Sequence, residues 1–488
     1  MATAYGIHIG NSSGCLATFV NGDASVLAND AGDRVTPAVV ALNGVEWEIG
    51  LPAKSGQASS KAIIKNNKRL MNCDFSEDDI AFVENSSSCR IQNDEELVYE
   101  FETSETKLYS NPDNIATKIY AKLYTIASHA VQNEGDLKLV LAAPLNWSSL
   151  SRERLVKCAE LAGFDVLQVI SEPAAALLAY NVEESADDVN VLVYRLGGSS
   201  CAASVVKVSS GFMSVEKNVF RSDLGGQCLT KDLADYIAQE FKQKWKLDPH
   251  ESRRAMSKLL NHADNCKHIL STLSSAHVFI ESLLDGVDWS QNVTRARFEN
   301  IISSKISAYI EPAKQVIDSF NGKIHKIILC GGSMKIPKLQ SAVASLLPEA
   351  EVLSGINPDE VIAVGCARQA GMMLDLPDLS LADTNMEIEF LGKDIYMKYL
   401  DQTVKLFKEG SPPYAQNICS IESVNDVKDM SFTLHEDPNG EQFATETFNI
   451  ENLTKPFKLK ATLQSSNILM QVDFFFKFIF ETFLDSGL

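Results

Sequence analysis

The sequence predicts an α/β architecture with a duplicated half over residues 1–374, followed by a short all-β domain. Three observations carry that expectation. A β-run that meets a Gly/Ser turn and resumes as a second β-run occurs twice in widely separated places. Helical periodicity alternates with β-runs between and after the two copies. Beyond residue 384 the apolar period becomes two, the mark of half-buried strands.

The first copy is Tyr5-Gly-Ile-His8-Ile-Gly10-Asn11-Ser12, followed by the apolar stretch Cys15 to Val20. The second is Val191-Leu-Val-Tyr-Arg195-Leu-Gly197-Gly198-Ser199-Ser200, followed by Ala202 to Val208. Each reads as a hairpin whose turn admits a ligand, because glycine has no side chain to obstruct the backbone. A third turn, Cys330-Gly331-Gly332-Ser333, leads toward a helix instead. Two similar hairpins imply two related α/β units with a cleft between them.

Helices fill the intervals. Asn111-Pro112 supplies a cap and a first-turn proline, and Ile115, Ile119, Leu123 and Ala127 keep one apolar face. Further helices are predicted over 151–161, from Glu172 to Tyr180, and over 229–245, 251–270 and 298–320. Residues 375–384 have no helical period and read as a linker. Alternation then marks 385–488 as β, through Met386/Ile388/Phe390, Ile395/Met397/Tyr399, Met430/Phe432/Leu434 and Phe457/Leu459/Ala461/Leu463. Phe474–Leu484 holds six of the chain's 23 Phe and suits a buried edge strand.

Composition narrows the function. The 488 residues carry 44 Lys+Arg against 64 Asp+Glu, a net charge of −20, which argues against direct nucleic-acid binding. No apolar run reaches membrane-spanning length, and the first residues lack the pattern of a secretory signal. Ten scattered cysteines without CxxC spacing fit free thiols in a reducing compartment, so the expected address is the cytosol or nucleus. The Gly/Ser turns suit a phosphate ligand, since successive amides and hydroxyls can converge on anionic oxygens there. Neither the Walker pattern nor the Rossmann fingerprint occurs.

Taken in order, these motifs resemble the actin-like ATPase domain of the seventy-kilodalton heat-shock protein family. The resemblance includes Ala28-Asn-Asp-Ala-Gly-Asp-Arg-Val-Thr-Pro37, Asn67-Lys68-Arg-Leu70, Ser171-Glu172-Pro-Ala-Ala-Ala176 and Asp223-Leu-Gly225-Gly226. It continues through Thr294-Arg-Ala-Arg-Phe-Glu299, Cys330-Gly-Gly-Ser333 and Asn357-Pro-Asp359-Glu360. It implies two lobes around an ATP cleft at 1–374, a linker at 375–384 and a truncated β-sandwich at 385–488, with no helical lid. It places Gly10, Asn11, Ser12, Arg195, Gly197, Gly198, Ser199, Ser200, Gly225 and Gly226 around the phosphates. Lys267, Ser271, Gly331, Gly332, Ser333, Lys335 and Asp359 fall at the nucleoside. Lys68 and Glu172 match catalytic positions.

Departures from the family pattern set the expected activity. Where the family has Asp at the start of each phosphate turn, this chain has His8 and Arg195, and a further acid is replaced at Ala202. Those carboxylates organise the magnesium water shell in the family, because hard cations take oxygen ligands and phosphoryl transfer depends on charge neutralisation. The expectation is therefore a pocket that holds ATP, orders metal and attacking water poorly, and pairs Arg195 directly with phosphate oxygens. The sequence leaves the charge of His8 open. Lys335 stands where the family stacks an Arg on adenine. Gln168 replaces an Arg that contacts J-domain partners, and Pro377 in the linker opposes docking as an added strand.

This pattern resembles the ribosome-associated branch of the family. That likeness implies a partner, a zuotin-type J-domain protein, through which the chain sits at the ribosome beside nascent polypeptides. It also implies a second, complete chaperone of the same family that does the folding work. Two alternatives stand beside it, a slow but genuine ATPase that binds peptides itself and a nucleotide-free scaffold. A sugar or acetate kinase fits poorly, given the downstream β-domain.

Overall fold

The computed structural model describes residues 4–44, 46–55, 62–93, 96–102, 107–130, 136–182, 188–209, 212–374, 395–400, 402–407, 416–421, 429–435, 442–449, 457–463, 467–473 and 477–483. The chain divides into two compact units. One comprises residues 1–182, 189–206 and 215–377, the other 183–188, 207–214 and 378–488. The linker at 375–384 and the Met386/Ile388/Phe390 alternation lie outside the described residues.

The duplication is visible in the sheets of the first unit. The first sheet runs Asp165–Ser171, Lys138–Ala143, Ala4–Ile9, Ser13–Val20, Asp23–Val26. The second runs Glu351–Leu353, Lys326–Cys330, Val189–Leu196, Cys201–Ser209, Phe212–Arg221. Read from the last strand of each hairpin, the chain order is the same in both. Ala4–Ile9 pairs parallel to Lys138–Ala143 on one side and antiparallel to Ser13–Val20 on the other. Val189–Leu196 likewise pairs parallel to Lys326–Cys330. Both central strands are buried over most of their length, as expected for sheets covered on two faces.

One helix ties the first sheet to the site. Val361–Leu374 is apolar on nearly every side and largely buried. It approaches its neighbours through glycine: a Cβ at Gly6 would lie 2.0 Å from Ala367 N, and one at Gly365 would lie 1.7 Å from Ala175 O. No side chain fits there, so the helix seats directly on the strand Ala4–Ile9 and the helix Glu172–Ala179.

The predicted helices appear with shifted ends. Pro112–Ala130 buries Ile115, Ile119, Leu123 and Ala127, the face read from the sequence. Ser149–Leu161 starts two residues early because Ser148 caps it, its side chain accepting from Ser151 N. The segment predicted from 251 starts at Arg253, because Pro249–Glu251 forms a 3-10 turn and Ser252 is the cap. The single helix predicted over 298–320 is in fact two, Arg295–Ile302 and Ile306–Asp318, joined by the 3-10 turn Ser303–Lys305. Ser303 Oγ donates to Asn300 O at 2.7 Å, a local bond that competes with helix continuation.

From residue 395 onward, the described residues of the second unit form two four-stranded antiparallel sheets. One has the order Gln402–Phe407, Ile395–Tyr399, Asp429–His435, Gln442–Asn449. The other runs Gln416–Ile421, Phe457–Leu463, Asn467–Asp473, Lys477–Phe483. Ile395, Met397, Tyr399, Phe432, Leu434 and Leu459 are buried, which accounts for the period-two reading. Within the Phe-rich run, Lys477–Phe483 is an edge strand; 474–476 and 484 lie outside the described residues.

Candidate nucleotide cleft

The two hairpin turns meet. Asn11 Nδ2 donates to Ser200 Oγ at 3.3 Å, and a Cβ on Gly198 would lie 2.6 Å from Ser12 Oγ. The other glycine turns brace the second hairpin. Gly226 N donates to Gly197 O at 2.9 Å and Gln227 N to Gly198 O at 2.7 Å, while Ser333 Oγ donates to Gly197 O at 2.9 Å. Gly331 has φ +87°, and a Cβ there would lie 2.3 Å from Leu196 O, so the position requires glycine twice over. Gly10, Asn11, Ser12, Gly197, Gly198, Ser199, Ser200, Gly225, Gly226, Gly331 and Ser333 thus gather in one place, as the motif order predicts.

Glu172 is the centre of the site. It opens the helix Glu172–Ala179 behind the cap Ser171, whose side chain accepts from Ala174 N, and the positive helix end favours a carboxylate there. Three basic groups converge on it. His8 Nε2 and Lys68 Nζ each lie 3.0 Å from Oε1, and Arg195 Nε lies 2.7 Å from Oε2. Burial pushes the Glu172 carboxyl up, but Arg195 and Lys68, helped by the His8 hydrogen bond, bring it well below the usual carboxylate range. Burial lowers His8, and Lys68 and Arg195 add to this against the Glu172 bond, so its imidazole is neutral at neutral pH. Burial also lowers Lys68, opposed by Glu172.

Arg195 also has a partner within the protein, which its sequence position does not announce. It is an internal ion-pair partner of Glu172 through Nε and only 6% exposed. Its Nη1 and Nη2 each donate a long bond of 3.3 Å to Ser200 Oγ. The contact to Glu172 is ionic and not directed, because the buried Nε–H has no aligned acceptor.

Several residues that hold this arrangement are not among the candidate site residues of the sequence, although Asn67 and Arg69 flank Lys68 in one of its motifs. Asn66 has φ +60° and is fully buried; its amide accepts from Gln227 Nε2 at 2.9 Å, across the cleft, and donates to Ser86 Oγ at 3.0 Å. Asn67 accepts from Tyr99 OH at 2.7 Å, and the two asparagines fix the turn that presents Lys68. Arg69 stacks on Phe82, pairs with Asp79 at 2.8 Å, and donates to Ser199 O at 2.6 Å and to Ser222 O. The pair Asn66-Asn67 is a further trace in the sequence, since asparagine tolerates a positive φ better than most residues.

At the nucleoside end the predicted side chains are close but mostly engaged. Lys267 Nζ is buried and bonds Thr230 Oγ1 at 2.7 Å, Asp264 Oδ1 at 2.9 Å and Gly226 O at 3.2 Å. Lys54 crosses the cleft mouth to Asp264 Oδ2 at 2.8 Å. Burial raises the Asp264 carboxyl, and Lys267, His268 and Lys54 overcome it and pull it far down. Ser271 Oγ donates to Lys267 O in its own helix at 3.0 Å. Lys335 pairs with Asp359 at 2.6 Å, below Gly332.

The chemistry of the donor set separates two groups. A polyphosphate fits: among the described residues the turn amides of Asn11, Ser12, Gly198 and Ser199 have no protein acceptor, and cations stand beside them. Asn11 Oδ1 is a buried acceptor without a protein donor, a place for water at the turn. The carboxylate at this end is poorly disposed toward magnesium and its water shell: both oxygens of Glu172 are committed to bases.

Sheet duplication, glycine turns and cleft together match one family. The family described as "Hsp70 protein" matches residues 4–406, and the chain belongs to it. It is a chaperone of that family, whose members bind ATP. Among curated proteins it is similar to "Heat shock 70 kDa protein 14" of Danio rerio, 39% identical over 422 residues, covering 84% of this chain and 83% of that protein. The protein of the same name from Homo sapiens is 37% identical over 446 residues, covering 89% of this chain and 87% of that protein.

Proposed function

We propose that this chain is a nucleotide-binding chaperone subunit with weak or absent hydrolysis, paired in the cytosol with a zuotin-type J-domain protein. That partner holds it at the ribosome beside nascent polypeptides, where a second, complete chaperone of the family receives them. The likeness to heat shock 70 kDa protein 14 supports the branch, and the charge of −20 suits a subunit kept off RNA while a partner makes the ribosomal contact.

One observation carries the enzymatic half of this reading: Glu172, the carboxylate at the phosphate end, is shared by His8, Lys68 and Arg195. A carboxylate so engaged is a poor organiser of metal and attacking water, and loss of one such electrostatic contribution costs roughly a hundredfold or more in rate. The amides at 11, 12, 198 and 199 with Lys68 and Arg195 would hold the phosphates. Gly331, Gly332, Ser333, Lys267, Ser271, Lys335 and Asp359 would frame the nucleoside. Bound nucleotide supplies the ligand whose differential affinity sets the cleft's closure. Gln168 supports weak coupling to a J-domain, since it forms a neutral amide pair with Gln369 at 3.0 Å.

A second reading, the nucleotide-free scaffold, draws on the bonds that already close the cleft, Asn11 to Ser200, Asn66 to Gln227 and Lys54 to Asp264. Calorimetric titration with ATP followed by single-turnover hydrolysis separates the possibilities. Binding without turnover is expected; turnover stimulated by a J-domain would move the protein to the enzymes, and no binding would leave the scaffold. Capture of a J-domain protein and ribosomal subunits on the full chain tests the partner.

A further inference from the structure

We propose that the preferred ligand of this cleft is the metal-free nucleoside polyphosphate, with Arg195 and Lys68 serving as its counter-cations in place of magnesium. The inference rests on the nucleotide-binding reading above and names the ionic form that the site takes.

The argument is one of charge and of unused donors. Even with His8 left aside, the buried cluster sets two basic side chains, Lys68 and Arg195, against the single carboxylate of Glu172, a surplus of one positive group before any ligand enters. A divalent cation would add two more inside a buried site, where like charges repel far more strongly than in water. A polyphosphate without its metal carries more negative charge than the chelate, so it gains more from the surplus. Arg195 is positioned to use this. Its Nη1 lies 3.1 Å from where a Cβ on Gly197 would stand, against the backbone of the second turn. Guanidinium has five N–H donors; Nε faces the Glu172 carboxylate at 2.7 Å, while Nη1 and Nη2 make only long bonds to one hydroxyl. Donors left unaligned in a buried site gain from meeting an anion, and the planar fork matches phosphate oxygens.

The test is titration of the full chain with ATP in EDTA and, in parallel, in excess magnesium, read by calorimetry and by the rise in thermal midpoint. Affinity in EDTA equal to or tighter than in magnesium is the expected result. Tightening by magnesium of tenfold or more overturns the proposal while leaving nucleotide binding intact; no binding in either buffer overturns both. The Arg195→Asp variant sharpens it. Affinity in EDTA is expected to fall at least tenfold, and part of it should return on adding magnesium. Retained affinity in EDTA would show that Arg195 is not the counter-cation. Should that variant fold poorly, the wild-type comparison still decides.

Discussion

The two hairpin turns place different bases at the same position, two residues before the first turn glycine, and both bases reach the same carboxylate. His8, in the first copy, contacts Glu172 Oε1 as a neutral imidazole; Arg195, in the second, contacts Oε2 as a fixed cation. The backbone frame is duplicated and the electrostatics are not. One copy contributes a hydrogen bond that burial keeps uncharged, and the other contributes the charge that holds Glu172 ionised. The copies thus divide the work that two acids would share if both turns carried one.

Removing the common partner should have the largest effect. Glu172→Gln leaves Lys68 and Arg195 buried without a counter-charge, and breaking such a pair from one side costs about 3–5 kcal/mol. Urea unfolding would show the loss, and saturating ATP should recover part of it by restoring negative charge. A loss under about 1 kcal/mol would mean that water already reaches the cations, and the contrast between the two copies would then be worth little.

The next experiment pits the copies against each other. Arg195→Leu removes the fixed charge while Glu172 keeps Lys68, so a loss of about 2 kcal/mol is expected. His8→Leu removes one hydrogen bond from a neutral ring, worth about 1 kcal/mol. Chemical denaturation of both variants orders them. Equal losses, or a larger one at His8, would break the asymmetry.

Much of this was legible in the sequence, and the boundary is physical. Spacing around Gly10 and Gly197 reveals the hairpins because local turn chemistry fixes them, and period-two alternation at Ile395, Met397 and Tyr399 reveals strands for the same reason. Glu172 stands 164 residues from His8, and nothing local says that His8 and Arg195 will both reach it. The bonds of Asn66, Arg69 and Lys54 across the cleft escaped because each depends on how two distant segments pack. The sequence predicts one helix over 298–320 because its apolar face continues through the break, where the Ser303 hydroxyl decides locally.

The smallest expected effect is a slope with pH, and it isolates His8. Burial holds its folded-state value below the ordinary one, so between the two values the unfolded chain binds a proton that the folded chain refuses. More protons on the unfolded side means that stability rises with pH through that window and falls as acid is added below about 6.5. One proton limits the slope to about 1.4 kcal/mol per pH unit. Glu172 contributes nothing there, since its folded-state value is depressed and its stabilisation is lost only in stronger acid, below the ordinary carboxylate range. Urea unfolding at pH 7.5 and 5.5 should therefore show a steeper loss for wild type than for His8→Asn, while Arg195→Leu, which relieves one of the charges that lower His8, should show a shallower loss than wild type. If His8→Asn keeps the full slope, the imidazole is protonated in the folded chain. The first hairpin would then carry a charge as the second does, and the surplus beside the phosphates would be two.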